Sequence, residues 1–248
     1  MRDADAVAER AAARVIATLR SAEATTLGLA TGTTMAPLYA RLVAAYRAGE
    51  ISFRTACSFN LDEYAGVAPD SPGSFHAYMR KHLFAFTDIE PDRTHIPDGT
   101  ARDITSEAAR YEALIAAAGG IDLQLLGIGA NGHIGFNEPG SDFASRTREV
   151  KLDEATRLGN AGNFPDSALA PERAITMGIA TILEARSILL IATGREKAAA
   201  MAAAIDGPMS PACPASALRL HGDVLILCDE AAASALASRP GDGIRRRA

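Results

Sequence analysis

The sequence predicts an α/β fold: a Rossmann-like, doubly wound, mostly parallel sheet with helices on both faces. Three observations lead there. Short apolar runs alternate with helix-like stretches along the chain. The runs IDLQLLG (121–127), SILLIAT (187–193) and VLILCD (224–229) do not alternate apolar with polar residues, so they read as strands covered on both faces. Four predicted strands end in polar clusters, where open α/β sheets carry their ligand loops.

Taken in order, an amphipathic helix is expected over 5–20, then a strand near 26–30 (TLGLA) that leads through TGTT (31–34) into a helix over 36–48. A second strand, FRTACSFN (53–60), runs into LDEYAGV, and helices follow near 74–84 and 104–118. The strand 121–127 opens the glycine-rich stretch GIGANGHIGFNEPGS (127–141). Strand 187–193 leads to GREK and an alanine-rich helix, and 224–229 is a last strand before a short helix. With no internal repeat and no low-complexity linker, the whole of 1–248 reads as one domain, its basic tail 239–248 frayed.

At 48% hydrophobic and 22% charged residues, the chain carries enough apolar material for a sizeable core. The net charge of −5 argues against nucleic acid or a membrane surface as a partner. No apolar run approaches the roughly 20 residues that span a bilayer. The charged N-terminus does not read as a signal peptide. Cys57, Cys213 and Cys228 lack metal or disulfide spacing. A cytoplasmic protein is expected.

The four clusters are TGTT, NLDEY (60–64), GANGHIGFNE (129–138) and TGREK (193–197); on a parallel sheet they share one edge. Thr31, Gly32, Thr33 and Thr34 precede a helix whose N-terminal amides can hold an anion such as phosphate, or else a threonine simply caps the helix. Lys197 lies in the first turn of a helix, against the dipole, where a bound anion or mere solvation would explain it. Asp62 is either a base facing the crevice or a turn aspartate. Adjacent residues on extended chain point opposite ways, so only one of Asp62 and Glu63 should face a ligand. Asn131-Gly132 makes a tight turn that sets His133 at the rim, and Pro139 restricts Glu138 to extended geometry. Glu138 is thereby placed to orient the imidazole and stabilise its charged form. His76, His82, His95 and His221 have no comparable setting.

At FNLDEYAGV, SFHAYMRKHLF (74–84) and GIGANGHIGFNEPGS the chain resembles the glucosamine-6-phosphate deaminase family. LATGTT, SRTR (145–148), ITMGIATIL (175–183) and ATGREK agree in order, so the similarity runs from about 5 to about 235. The resemblance implies a modified Rossmann-like fold, often a homo-oligomer, and an isomerising hydrolase that turns glucosamine 6-phosphate and water into fructose 6-phosphate and ammonia. It implies Asp62 as the base that moves the C2 proton to C1, His133 as the ring-opening catalyst, and Glu138 and Asn131 as its partners. It puts the substrate phosphate on 31–34 with Lys197, and needs no metal or organic cofactor. Two departures stand out. Gly162 replaces an arginine that helps hold phosphate in the family, a loss that Arg157, Arg173 or Arg195 would have to make good. Ser141 and Arg148 match an activator site for N-acetylglucosamine 6-phosphate, but Val150 replaces its lysine, so activation is expected to be weak or absent. Segment 159–171 is expected to form a closing lid. Competing readings are a galactosamine-6-phosphate deaminase/isomerase, a 6-phosphogluconolactonase, and a sugar-phosphate-sensing domain that turns nothing over.

Overall fold

The computed structural model describes residues 1–164 and 170–237. The tail 239–248 and residues 165–169 of the expected lid lie outside the described residues. The strands are β1 (Thr25–Leu29), β2 (Ala56–Asn60), β3 (Asp62–Tyr64), β4 (Thr94–His95), β5 (Leu123–Gly127), β6 (Arg148–Lys151), β7 (Arg173–Thr176), β8 (Ile188–Ala192) and β9 (Val224–Cys228). The helices are α1 (Ala4–Ser21), α2 (Ala36–Arg47), α3 (Phe75–His82), α4 (Ile104–Ala117), α5 (Glu154–Asn160), α6 (Ile179–Leu183) and α7 (Ala198–Ile205).

Six strands form one sheet in the order β4-β2-β1-β5-β8-β9, every pair parallel. Every residue of β1 and of β8 is buried, so both faces of the sheet centre are covered, as expected of runs that do not alternate apolar with polar residues. Tyr39 of α2 and Tyr111 of α4, both fully buried, pin their helices by donating to the Ala30 and Asn60 carbonyls at the strand ends. Asp3, Ser74 and Asp103 cap α1, α3 and α4 with side-chain oxygens, which fixes where those helices begin. Strand order reverses direction between β1 and β5, so a ligand crevice belongs at their carboxyl ends.

The sequence gives no sign of a second sheet. Strands β3, β7 and β6 form a separate antiparallel ribbon in that order. It closes over its own cluster of Tyr64, Phe75, Phe136 and Leu152. Strand β2 is also shorter than expected, because Phe53 and Ala56 are joined in a turn that uses the Ala56 amide. Leu61 links the two sheets: its amide donates to Leu29 O (3.0 Å) and its carbonyl accepts from Met177 N (2.7 Å).

Candidate active site

The loop after β5 is shaped by glycines. Gly132 has φ +88° and closes a turn onto the Gly129 carbonyl. Gly129 matters for a different reason: a β-carbon there would lie 2.3 Å from His133 Nδ1, so the imidazole lies directly over bare backbone. The segment around Cys213 braces the loop from behind. Ala215 N donates to Gly132 O (2.9 Å), and Pro211 O accepts from Gly140 N (2.8 Å).

Three expected side chains meet here. Asn131 Nδ2 donates to Glu138 Oε2 at 2.8 Å, and His133 Nδ1 stands 3.5 Å from the same oxygen. That last separation is an ion-pair approach and not a made hydrogen bond. Asn131 Oδ1 in turn accepts the His133 amide (3.2 Å). The other carboxylate oxygen, Oε1, accepts from Thr156 of α5 at 2.5 Å. Burial alone would raise the Glu138 pKa. The imidazole, the Thr156 hydroxyl and the Asn131 amide outweigh it and hold the carboxyl down at about 2.

Asp62 opens β3, buried and 6% exposed. Burial first, and the nearby Glu63 charge second, push its pKa well above the usual aspartate value. Glu63 points the other way, as the pleat requires, and serves α3. The ribbon ties Asp62 to the histidine loop: Thr176, its cross-strand partner, accepts from Phe136 N (3.1 Å). Asn137 Nδ2 donates to both Ile134 O (2.9 Å) and Met177 O (2.8 Å). Gly135, with φ +56°, covers the aspartate, since a β-carbon there would come 3.5 Å from Asp62 Oδ2.

The phosphate candidates stand at neighbouring strand ends, Thr31–Thr34 after β1 and Lys197 after β8, on either side of the β5 loop. The cap reading of the threonines fails, because the N-cap of α2 is Met35 and no side chain caps it. Gly32 takes φ +109°, and its carbonyl is held by Tyr78 Oη (2.7 Å) and Met35 N. Lys197, half-buried, heads α7 and has no carboxylate partner among the described residues. Of the arginines that might replace the missing one, Arg157 is engaged by Ala170 O and Glu172, and Arg173 by Glu149. Arg195 is exposed and has no acidic partner among the described residues. No group of three or more His, Cys, Asp or Glu side chains that could hold a metal ion occurs among the described residues.

Comparison with known proteins bears on this constellation. The family of glucosamine-6-phosphate isomerases/6-phosphogluconolactonase matches residues 2–226. The chain belongs to this family. Within it, the chain is 53% identical to the glucosamine-6-phosphate deaminase of Rhodopirellula baltica, over 96% of this chain and 94% of that protein. It is 50% identical to glucosamine-6-phosphate deaminase 2 of Bacillus subtilis, over 86% of each. A solved structure of a monomeric glucosamine-6-phosphate deaminase superposes with a TM-score of 0.93 at 44% identity, covering 95% of this chain and 98% of that one. The 6-phosphogluconolactonase of Trypanosoma brucei shares the fold, with a TM-score of 0.77 at 22% identity over 96% of this chain and 97% of its own. Residues that sequence reasoning passed over are Gly129, Gly135, Asn137, Thr156 and Thr176. Gly129 and Gly135 contribute bare backbone, whereas Asn137, Thr156 and Thr176 contribute side-chain hydrogen bonds, those of Asn137 and Thr176 to backbone groups.

Proposed function

We propose that this chain is a glucosamine-6-phosphate deaminase that isomerises its substrate as ammonia leaves. The observation that carries the reading is a histidine joined to a deeply ionised carboxylate, stitched by Thr176 and Asn137 to a buried aspartate of raised pKa. His133 takes the proton of the anomeric hydroxyl and delivers one to the ring oxygen, opening the sugar. Glu138, ionised throughout, steadies the imidazolium formed between those transfers. Asp62 then takes the C2 proton, leaving a C1–C2 enolamine, and returns it to C1. The C2 imine that results adds water and expels ammonia, giving the ketose. A raised pKa makes Asp62 a stronger base than an exposed aspartate.

The phosphate rests on the amides and hydroxyls of Thr31–Thr34 with Lys197, and Arg195, two residues before Lys197 and exposed, is the candidate substitute for the arginine absent at Gly162. Identity near 50% to proteins named glucosamine-6-phosphate deaminase supports this reading over the lactonase and the sensing domain. The setting proposed is a cytoplasmic homo-oligomer. No described helix is long and apolar enough to cross a membrane. Sedimentation of the purified chain tests assembly, and a monomer, the state described for the 44%-identical deaminase, would remove that part of the reading.

The deciding assay is ammonia release from glucosamine 6-phosphate and galactosamine 6-phosphate in parallel, with Asp62→Asn as control. Release from the gluco sugar, lost in the control, is expected. Release from the galacto sugar alone would keep the chemistry and change the substrate. No ammonia from either would overturn the proposal.

A further inference from the structure

We infer that Thr156 is a positioning residue for the ring-opening pair, an inference that rests on the role proposed above for His133 and Glu138. Glu138 has two carboxylate oxygens and three side-chain neighbours. Asn131 and His133 share Oε2, while Oε1 belongs to Thr156 alone, at 2.5 Å between two buried residues. A carboxylate held at one oxygen only can swing about its side-chain torsions. Held at both, it presents Oε2 to the imidazole in one orientation. The Thr156 hydroxyl therefore does not touch the sugar; it fixes the group that steadies the histidine.

The location of Thr156 adds a second consequence. It belongs to α5, a helix of two turns between strands β6 and β7 of the small ribbon, whereas Asn131, His133 and Glu138 all belong to one loop of the main sheet. Asn160 Nδ2 closes onto the Thr156 carbonyl (2.9 Å), and Arg157 in the next position binds Ala170 O (2.8 Å). The seating of α5 is thus read out at the carboxylate. When α5 is displaced, Glu138 loses Oε1's partner while its own loop stays unchanged. Thr156 gives the active site a contact that reports whether this helix is in place.

The test is a double-mutant cycle on purified full-length protein, assayed by ammonia release from glucosamine 6-phosphate. Thr156→Val, which keeps the shape and removes the hydroxyl, is expected to lower kcat about 10- to 100-fold, the usual worth of a hydrogen bond to a charged group. KM should stay near its wild-type value, because no substrate contact is lost. Thr156→Ser should recover most of the loss. The cycle decides between positioning and general disturbance: in a Glu138→Gln background, Thr156→Val should cost nothing further. Independent, multiplying losses would overturn the inference, as would a Thr156→Val enzyme with wild-type kcat. Where valine is not tolerated by the fold, Thr156→Ala runs the same cycle. A Glu138→Gln enzyme of wild-type activity would instead reject the proposed role of Glu138 itself.

Discussion

Asp62 and Glu63, adjacent in sequence, are turned to opposite duties on one short strand. Glu63 is 1% exposed, and its carboxylate accepts the amides of Tyr64 (2.9 Å), Phe75 (3.0 Å) and His76 (3.1 Å), so it holds the start of α3. Asp62 faces the histidine loop across bare Gly135. The structural acid thereby contributes to the tuning of the proposed catalytic one.

Replacing Asp62 by asparagine should abolish ammonia release and raise stability. Its folded-state pKa lies above the unfolded value, so the fold favours the protonated form. Stability is accordingly lost as pH rises from the ordinary aspartate range through the folded pKa, and the cost is full above it. The amide removes that cost. Thermal melts at neutral pH should show Asp62→Asn above wild type, each 1 kcal/mol gained moving Tm by about 2–4 °C in a chain this size.

Glu63→Gln should separate stability from pH dependence. Loss of charge at three amides weakens the α3 attachment by about 1.5–3 kcal/mol, measurable by urea denaturation. The same change removes one cause of the raised Asp62 pKa. Asp62 must be ionised to act as base, so the acid limb of kcat/KM should move to lower pH. An unmoved limb would mean that Asp62 does not govern it.

Gly129→Ala should damage turnover more than folding. Its β-carbon would occupy space now filled by the imidazole, 2.3 Å from Nδ1 and Cε1 of His133. The ring must shift by an ångström or so, a displacement that costs about 100-fold in a positioned catalyst. Steady-state kinetics beside a thermal melt would separate the two effects.

Gly162→Arg should restore phosphate affinity. Gly162 is exposed, and a β-carbon there meets no described residue within 4 Å. A regained charge-assisted contact should lower KM about 5- to 30-fold. An unchanged KM would show that the phosphate is held elsewhere, with Arg195→Ala the next variant to measure.

N-acetylglucosamine 6-phosphate should activate weakly or not at all. Arg148 is engaged by Asn137 Oδ1 (2.9 Å) and Ser141 Oγ (3.3 Å), and Val150 adds no charge to the cleft of about 380 Å³ that it lines with Arg148 and Ser141. Initial rates titrated with that sugar check this; a sigmoidal curve turning hyperbolic would contradict it.

Five of the six strands of the parallel sheet were readable as buried or half-buried runs of five residues, each followed by a turn, whereas β4, with two residues, was not. The ribbon was not, since β3 has three residues and β6 and β7 four each, too few for a period to register. Asn131, His133 and Glu138 were legible because one glycine-rich loop carries them all. Thr156 lies 18 residues from Glu138 within LDEATRLG, where a threonine has no distinguishing neighbour. Only the tertiary approach of α5 gives it a partner. The capping expectation at TGTT failed because the turn continues through Met35 before α2 begins.

Leu61 ties the proposed base to the sheet that carries the proposed phosphate loop. One residue, Leu61, separates the main sheet, whose β1 leads into Thr31–Thr34, from Asp62 on the ribbon, and both its backbone groups are hydrogen-bonded. On the proposed roles, the span from a phosphate on the β1 loop to a proton within reach of Asp62 is set by a few backbone links, not by side-chain reach. On those roles, a sugar whose phosphate and reacting carbon are one bond closer together should be turned over poorly. Selection by chain length would then precede any recognition of individual hydroxyl groups.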